Sequence, residues 1–457
     1  MSGTHSTTAL PAGREKQETT LHTEAWPDPR RAWAVVILLA LAFTSSFIDR
    51  QILSLLVEPV KADLNISDTQ FSLLVGLAFS LFYSICGVPL GYLADRKSRR
   101  LIVSAGVLTW SMMTTLCGFA QNFAQLFVAR MGVGVGEATL TPSAASLIAD
   151  YFPKERRGAA MAVYATGVYW GSGLALMIGG GVIAMIADAS SISVPLIGEI
   201  RPWQTVFLMV GLPGLPLAGL MLLIREPRRR GLVADGGDPS AGQLLPFAKA
   251  NVRALLAIFV GFTLLGMVVI AYLTWIPALF IRTFGWTAAE IGFGFGVIVT
   301  VFGSGGILFG GWLSDRLTRR GHADAVVRAG LYGGMVATPI AAVAPLLPTP
   351  PLLLVGAAVA LFAATSTQAL PVVAIQTMAP NNLRARLAAF YFLFGSLLIF
   401  TLGPTSVALV TDFVFGDPTM VRYSLAIACA VFAPLGVLLV ATGLKPYRRA
   451  VEAASWE

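Results

Sequence analysis

The sequence predicts an all-helical membrane protein with twelve transmembrane helices, arranged as two parallel halves of six. Three observations support this fold class. Of the 457 residues, 56% are hydrophobic and only 12% are charged, about half the charge of a water-soluble domain. The apolar residues form runs long enough to cross a bilayer, and one ten-residue motif occurs twice. A water-soluble protein is therefore excluded.

The apolar runs are separated by charged or turn-rich segments, and each reaches the roughly 20 residues that a bilayer crossing needs. Backbone amides in hydrocarbon must be satisfied within their own segment, so each run is predicted to be helical. These runs, called spans 1 to 12 below, cover 32–57, 71–93, 101–121, 124–149, 159–186, 204–224, 252–281, 288–313, 326–347, 351–377, 387–411 and 422–444.

The domain boundaries follow from the polar segments between the runs. A polar tail, 1–31, precedes a first six-helix half, 32–224. The Pro-, Gly- and Arg-rich segment 225–251 is too short to be a domain and is predicted to be a linker. The second half covers 252–444, and a short tail, 445–457, follows.

The basic residues predict the orientation of the chain. With the N-terminus inside, 26 of the 32 Lys and Arg residues fall on the inner side of the spans, the distribution expected of cytoplasmic segments. Both termini are therefore predicted to be cytoplasmic, and the compact chain with short loops is typical of a bacterial inner membrane. Because the basic residues mark topology instead of forming one patch, a nucleic-acid partner is excluded.

Cysteine and histidine positions argue against metal and disulfide chemistry. Cys86, Cys117 and Cys429 lie in apolar runs, and the three histidines lie outside the spans. The sequence predicts no metal site, no cofactor and no obligate protein partner. It also lacks a nucleotide-binding loop and a Ser/His constellation at membrane depth, which disfavours an enzyme. A channel is disfavoured because there is no filter loop or ring of like charges.

An internal repeat supports two halves of the same topology. The motif 91–100, Gly-Tyr-Leu-Ala-Asp-Arg-Lys-Ser-Arg-Arg, recurs as Gly-Trp-Leu-Ser-Asp-Arg-Leu-Thr-Arg-Arg at 311–320, an offset of 220 residues. The same offset relates two predicted capping boxes, Ser67-x-x-Gln70 and Thr287-x-x-Glu290. Parallel halves related by an axis along the membrane normal are the plan of one large class of transporters.

Four charged residues lie inside the predicted spans, where each costs about 2.5 to 3.5 kcal/mol. Asp49 and Arg50 lie in span 1, whereas Arg130 and Glu137 lie two helical turns apart on one face of span 4. As a purely structural network, the two acids and two bases would neutralise each other and hold the two spans together. As a functional site, an arginine would hold an anion in a bidentate contact. Asp49 or Glu137 would load and release a proton, because a carboxylate withdrawn from water can bind one near neutral pH.

These motifs resemble known transporter families. Both ten-residue repeats are similar to the loop signature of the major facilitator superfamily, with Ser98 and Thr318 in place of its central glycine. More narrowly, Phe47-Ile-Asp-Arg and the segment 130–138, Arg-Met-Gly-Val-Gly-Val-Gly-Glu-Ala, resemble the spinster-type lipid transporters. The organic-anion:proton symporters of the same superfamily share the Asp-Arg and Gly-Glu-Ala elements.

The resemblance implies roles for two groups of residues. The span 1 Asp-Arg pair and the span 4 Glu couple substrate to protons in the family, and here they stand as Asp49, Arg50 and Glu137. A second group would form a gate that ties the halves together on the cytoplasmic side when the cavity opens outward. This cytoplasmic gate consists of Gly91, Asp95, Arg96, Arg99, Asp150, Arg157, Asp315 and Arg316.

The second half suggests what kind of substrate the cavity accepts. Spans 7 to 12 carry no ionisable residue away from their ends; Arg282 and Asp412 lie at the outer ends. A cavity between the halves would thus be charged on one wall and apolar on the other, which suits an amphipathic anion. The aromatic residues expected on the apolar wall are Tyr272, Trp275, Phe362 and Phe394, and Gln368 is expected to add an uncharged hydrogen-bonding group to the cavity.

The leading hypothesis is a proton-coupled secondary transporter that moves a lysophospholipid or a phosphorylated sphingoid base by alternating access. Its partners would be this anion, protons and membrane lipids. The alternative is a symporter of protons and a small hydrophilic carboxylate, with Arg50 as its anion site. Span 5 resembles the glycine-rich antiporter signature but lacks the proline after its central glycine, so symport and antiport both stay open.

Overall fold

The computed structural model describes residues 26–186, 192–194, 198–229 and 242–454. Most of the predicted N-terminal tail, the middle of the predicted linker and the last three residues lie outside this described part. Within it the chain is helical except for short turns and one hairpin, in which β1 (Ile192–Val194) pairs antiparallel with β2 (Gly198–Ile200). The predicted all-helical fold class is confirmed.

Spans 1 to 6 form the first half. Several of them consist of two helices that meet at a glycine or at a tight turn. The helices are α1 (Pro29–Gln51), α2 (Val57–Leu64), α3 (Asp68–Val75), α4 (Leu77–Arg96), α5 (Arg99–Cys117), α6 (Phe123–Glu137), α7 (Leu140–Tyr151), α8 (Lys154–Ala165), α9 (Gly167–Ile186), α10 (Pro202–Gly211) and α11 (Gly214–Met221).

The second half has the same plan, preceded by a short helix in the predicted linker. Its last helix continues beyond the predicted end of span 12, to Ala454. The helices are α12 (Leu244–Ala250), α13 (Val252–Leu256), α14 (Phe262–Phe284), α15 (Ala288–Ile298), α16 (Ser304–Arg319), α17 (Ala325–Val343), α18 (Pro350–Thr365), α19 (Leu370–Met378), α20 (Asn381–Leu409) and α21 (Val421–Ala454).

Local sequence signals set several helix starts. Asp28 caps α1 by accepting a hydrogen bond of 2.8 Å from the amide of Arg30. The two capping boxes are confirmed: Ser67 and Gln70 cap α3, and Thr287 and Glu290 cap α15. These equivalent starts of spans 2 and 8 show that the repeat in the sequence is a repeat in the structure.

Span 4 departs from the other spans. Eleven helical stretches of the described chain are long and apolar enough to cross a membrane. Span 4 is instead divided into α6 and α7, which meet at Ala138 and Thr139. The main-chain amide of Thr139 donates to the carbonyl oxygen of Gly136, three residues earlier, at 3.3 Å. Pro142 in the next turn has no amide donor. Eleven of the twelve predicted spans thus form helical stretches long and apolar enough to cross a membrane, and span 4 is the one that does not.

The two halves pack together at one face of the molecule. We call the face that carries the ends of the described chain the inner face, and the opposite face the outer face. The outer part of the first half, including Ile52, Val60 and Phe71, shares one buried hydrophobic cluster with the second half. The inner part, including Val36 and Ile148, belongs to a separate cluster built from the first half.

Hydrogen bonds along spans 2 and 11 join the halves from the outer end towards the middle. Ser72 donates to Thr405 at 3.1 Å, and the hydroxyls of Ser80 and Thr401 lie 2.8 Å apart. Nearer the outer end of span 1, the side-chain amide of Gln51 donates to the carbonyl oxygen of Leu273 at 2.7 Å. The structure is therefore closed at the outer face.

Spans 5 and 8 complete the contact between the halves through glycines. A Cβ atom on Gly292 would lie 2.4 Å from the carbonyl oxygen of Leu176, and one on Gly180 would lie 2.6 Å from that of Ala288. No side chain fits at such distances, so the two helices touch backbone to backbone.

Candidate functional site

The four charged residues predicted inside the spans come together at the junction of α1 and α6. Asp49 and Arg50 occupy the last turn of α1, and Glu137 is the last residue of α6, two turns beyond Arg130. Asp49, Arg130 and Glu137 are each 1% exposed, while the Arg50 side chain is 12% exposed. Arg50 is thus the member of this charged quartet that a solute can reach.

Arg50 and Glu137 form the central ion pair. Nε of Arg50 donates to Oε2 of Glu137 at 2.7 Å, and Nη2 donates to the same oxygen. One carboxylate oxygen therefore accepts both bonds, and Oε1 of Glu137 has no hydrogen-bond partner. The guanidinium thus binds side-on, through Nε and Nη2, to one oxygen, whereas an anion with two free oxygens would accept one hydrogen bond on each.

Aromatic rings from both halves surround the Arg50 guanidinium. Its Cζ lies 4.6 Å from the ring centroid of Phe47, 4.2 Å from that of Phe79 and 5.1 Å from that of Tyr83. The ring of Phe400 in α20, part of the second half, lies 5.6 Å away. The cation is therefore placed between the halves and held by ring faces, which attract positive charge.

Asp49 and Arg130 lie deeper and are incompletely satisfied. Oδ2 of Asp49 accepts a 3.2 Å hydrogen bond from Thr114, and Arg130 donates to the main-chain oxygen of Asp49 at 3.2 Å. Oδ1 of Asp49 and Nε of Arg130 have no hydrogen-bond partner. Buried polar atoms without partners are costly, so their presence here needs a reason, and a functional role is one such reason.

Glycines allow span 4 to bring its charges this close. A Cβ atom on Gly134 would lie 2.4 Å from the carbonyl oxygen of Phe79, and one on Gly136 would lie 2.6 Å from the amide nitrogen of Trp110. The glycine-rich run of span 4 thus packs against spans 2 and 3, as its sequence predicts.

The residues expected on the apolar wall lie in three different places. Tyr272 and Trp275 are buried inside the second half, where they donate to the carbonyl oxygens of Ala341 and Pro404 at 2.6 and 3.0 Å. They are not on a surface that a solute reaches in this conformation. A buried Tyr hydroxyl or Trp N–H usually has a hydrogen-bond partner, and here carbonyl oxygens of neighbouring helices are those partners.

Phe362 and Gln368 lie in span 10, and Phe394 lies in span 11. Phe362 packs against Phe309 of span 8 with ring centroids 5.4 Å apart. Gln368 is partly buried and donates to Thr367 at 3.4 Å. Phe394 is 40% exposed and lines an apolar cavity of about 580 Å³ at the inner face.

This apolar cavity lies between the inner ends of spans 7 and 11 and the linker helix α12. It belongs to the second half, whereas the charged quartet belongs to the first. The side chains that line it are all apolar: Leu244, Leu245, Ala248, Val252, Leu255, Leu256, Phe259, Val260, Leu387, Phe390 and Phe394.

Arg99 and Asp150 are two residues of the predicted cytoplasmic gate that the described structure brings into contact. Arg99 is fully buried, and its Nε donates to Glu226 at 2.7 Å. Glu226 lies at the start of the linker and was not predicted. Partial burial alone would raise the pKa of the Glu226 carboxyl, but hydrogen bonds from Arg99, the amide of Arg100 and the hydroxyl of Ser98 lower that pKa below its ordinary value.

The other predicted gate residues make local contacts. Arg96 lies over the ring of Tyr92 and Arg316 over that of Trp312, at 4.1 and 5.2 Å. Nε of Arg157 donates to the carbonyl oxygen of Phe152 at 2.9 Å. Asp315 is exposed, and Gly91 faces Pro142 at an ordinary contact distance. The side chain of Asp95 lies outside the described part of the structure.

The rings around Arg50 and the acidic partner of Arg99 were not predicted from the sequence. Phe79, Tyr83 and Phe400 stand in apolar runs where most aromatic residues face lipid, so no local signal distinguished them. Glu226 could have been noticed as the acid that follows span 6 within a basic segment.

Comparison with known proteins gives consistent results. A sequence model of the Major Facilitator Superfamily matches residues 39–404. An MFS-type efflux pump of Mycolicibacterium smegmatis is 30% identical over 85% of this chain and 86% of its own length. A probable L-galactonate transporter of Escherichia coli is 28% identical over 63% of this chain and 62% of its own length. Protein spinster of Drosophila melanogaster is 28% identical over 68% of this chain, but over only 50% of its own length.

A solved structure shows the same fold. It is a bacterial homolog of the human lysosomal transporter spinster, in an inward-facing and unoccupied conformation. The two chains superimpose with a TM-score of 0.74 at 24% identity, over 93% of this chain and 98% of the other.

Proposed function

This chain belongs to the major facilitator superfamily, and on that premise we propose that it moves an amphipathic anion together with a proton by alternating access. As a member of this family it is an integral membrane transporter and not an enzyme. The observation that carries the proposal is the Arg50–Glu137 pair. Its cation is reached by solvent and lies between the two halves, while its acid is buried.

Arg50 is the proposed anion site. Its guanidinium provides the positive charge and the planar set of donors that recognise an anion, and the surrounding rings hold it in place without neutralising it. A phosphate or carboxylate headgroup can accept these two hydrogen bonds on two separate oxygens, which is a stronger contact than the present one, in which both bonds end on one oxygen. Cargo would therefore displace Glu137 from Arg50.

Charge balance then identifies the proton site. The quartet has two positive and two negative side chains, so it is neutral without cargo. A bound anion would add an uncompensated negative charge in a site of low dielectric, where such a charge is strongly unfavourable. A proton on Glu137, the carboxyl that has just lost its cation, restores neutrality. Anion and proton are thus expected to bind together, and lower pH should strengthen anion binding.

The apolar cavity at the inner face supports a lipid-like cargo. Phe400, near Arg50, and Phe394, in the cavity, lie six residues apart on α20, which is about 9 Å along a helix. They point to different faces, so an acyl chain that joins the two sites would follow the helix surface. The cavity volume of about 580 Å³ is within the range of small-ligand sites.

The predicted orientation and gate become part of this proposal. With both termini in the cytoplasm of a bacterium, the conformation described here would open its cleft to the cytoplasm. The two six-helix halves, 32–224 and 252–444, would rock about the cleft with 225–251 as the linker. Asp95, Arg99 and Asp315 at the inner ends of spans 2, 3 and 8 would meet across the halves when the inner face closes.

Transport in proteoliposomes tests the proposal. An inward proton gradient should drive accumulation of radiolabelled lysophosphatidic acid by the wild type. Arg50→Ala should abolish uptake, and Glu137→Gln should uncouple it from the gradient. Asp63→Asn, an outer acid outside the cleft, is the matched control and should behave like the wild type. The proposal fails if Arg50→Ala and Glu137→Gln transport with unchanged pH dependence.

A second candidate is a proton symporter of small organic acids. The bidentate fork of Arg50 suits a carboxylate as well as a phosphate, and one relative carries the name of an L-galactonate transporter. Competition separates the two: excess L-galactonate should displace labelled lysophosphatidic acid poorly if the cargo is lipid-like. If L-galactonate displaces the lipid at equal concentration and is itself accumulated, the small-acid function is correct.

A further inference from the structure

Three basic residues adjoin the lining of the apolar cavity at the inner face. Lys249 lies on the linker helix α12, Arg253 on α13 and Arg386 near the start of α20. Each is next in sequence to a residue that lines the cavity. The segments that contain them, 243–260 and 381–394, have no Asp or Glu. We call these three residues the basic rim.

Helical register places the basic rim on the same helix faces as the lining of the cavity. Arg386, Phe390 and Phe394 follow one another at intervals of four residues on α20, so they lie along one face. Arg253 stands three residues before the lining residue Leu256 on α13, a spacing that makes helical side chains neighbours. A cation therefore precedes the apolar lining on each of these two helices.

The two arginines of the basic rim lie at the depth of lipid headgroups. The apolar stretches long enough to cross a membrane begin at Val252 for span 7 and at Arg386 for span 11. Arg253 and Lys249 are exposed, and Arg386 is partly exposed. Basic residues at the inner boundary of a span attract anionic lipids.

The cavity beside the basic rim offers an apolar surface to a hydrocarbon chain. Leu245 is 63% exposed, Leu256 48% and Phe390 50%. Because the lining is apolar and lies at membrane depth, a hydrocarbon chain covers it better than water does. From Arg386 to Phe394 the helix rises about 12 Å, so a chain attached to a headgroup at Arg386 runs into the cavity.

We propose that the basic rim and the apolar cavity form a second lipid site, which takes a single-chain anionic phospholipid from the leaflet at the inner face. Its phosphate binds Arg253 and Arg386, and its chain fills the cavity. This inference rests on the transport proposed above and identifies the membrane, instead of the cytoplasmic water, as the source of the cargo. The headgroup then moves along α20 towards Phe400 and Arg50, about 21 Å from Arg386 along the helix.

Photocrosslinking in nanodiscs tests this second lipid site. The probe is lysophosphatidic acid with a diazirine in the middle of its acyl chain, and peptide mass spectrometry locates the crosslinks. In the wild type they should fall within 244–260 and 387–394. Arg253→Gln combined with Arg386→Gln should lower crosslinking about tenfold or more, because each cation at the membrane surface contributes to the binding of an anionic lipid.

Three controls separate the headgroup contact from general effects. Arg319→Gln with Arg320→Gln removes the same charge from exposed positions at the inner end of span 8, and should leave crosslinking unchanged. Arg253→Lys with Arg386→Lys should retain most of it, since lysine also binds phosphate. A diazirine monoacylglycerol, which has no phosphate, should crosslink weakly and equally in all variants.

The outcome that overturns the proposal is specific. If the Arg253→Gln and Arg386→Gln double variant stays within twofold of the Arg319→Gln and Arg320→Gln control, the basic rim does not hold the headgroup. Crosslinks that fall outside the cavity in the wild type would refute the site as well.

The two proposals can fail separately. Arg50→Ala should abolish uptake and keep the crosslinks in the cavity, and their loss in this variant would contradict a separate site. If the wild type accumulates lysophosphatidic acid but the crosslinks do not depend on the basic rim, only the second lipid site is refuted. If they depend on the basic rim while the wild type shows no proton-coupled uptake, the lipid site stands and the transport proposal falls.

Discussion

Arg50 combines a permanent charge, an aromatic surround and partial exposure, and each has a separate physical source. The charge comes from the side chain itself, the rings from spans 1, 2 and 11, and the exposure from its place between the halves. The sequence predicts that Arg50 and Glu137 lie at membrane depth. It predicts a neutralising network between spans 1 and 4 but not which acid pairs with which base, because that depends on the rotation of α1 against α6.

Replacing Arg50 by lysine tests whether the fork matters beyond the charge. Arg50→Lys keeps one positive charge but removes the bidentate geometry. We expect the affinity for lysophosphatidic acid to fall about tenfold or more, because a charge-assisted hydrogen bond contributes about 1.5 to 3 kcal/mol. Isothermal titration calorimetry in detergent measures this. Arg449→Lys, at an exposed position of α21 outside the proposed sites, should leave the affinity unchanged. Equal affinities for wild type and Arg50→Lys would show that only the charge matters.

Glu226 makes a pH-dependent contribution to stability. Its pKa is lower in the folded protein than in the unfolded chain, so the contribution is present above the ordinary pKa of a glutamate, about 4.3. It disappears as the pH falls through the folded-state pKa. Glu226→Gln should therefore lower the melting temperature at pH 7, and the difference from the wild type should shrink at about pH 4. A difference that grows on acidification would contradict the ion pair with Arg99.

Helix packing in the first half depends on where glycines stand. The close approach of α6 to α4 is possible because Gly134 has no side chain, and the sequence shows this as a glycine-rich face. The capping boxes of α3 and α15 are equally local and were predicted. The division of span 4 was not predicted, because a run of apolar residues does not show where the backbone tightens.

Gly134→Ala should separate α6 from α4. The added Cβ would lie 2.4 Å from a main-chain oxygen, so the helices must move, at a cost of about 1 to 3 kcal/mol. Thermal unfolding followed by intrinsic fluorescence should show a lower melting temperature and transport should fall. A Cβ atom on Gly87, in the facing helix α4, would have no neighbour within 4 Å, so Gly87→Ala should be neutral. Equal melting temperatures for the two variants would contradict the packing.

In the proposed transport mechanism the two halves have different roles. The first supplies the charges and the second supplies the apolar cavity, a division that the sequence predicts from the missing charges in spans 7 to 12. The location of the apolar surface was not predictable. Tyr272 and Trp275 lie inside the second half, whereas the linker helix α12 and Phe390 line the cavity, since hydrophobicity alone does not show which face of a helix is buried.

The apolar cavity should matter only for cargo with a long chain. Phe390→Ala together with Phe394→Ala enlarges the cavity and removes ring contacts, so the affinity for lysophosphatidic acid should fall about tenfold. The affinity for glycerol 3-phosphate, which has a similar headgroup and no chain, should not change. Competition binding in detergent-free nanodiscs compares the two ligands. An equal loss for both would mean that the cavity does not hold the chain.

The pH dependence of anion binding tests the coupling of Arg50 and Glu137 most directly. For the wild type and the Asp63→Asn control, the affinity for lysophosphatidic acid should rise as the pH falls, by up to about tenfold per pH unit for one linked proton. Glu137→Gln mimics the protonated acid and should bind tightly at every pH. A wild-type affinity that weakens on acidification, or a Glu137→Gln variant that keeps the full slope, would contradict the account.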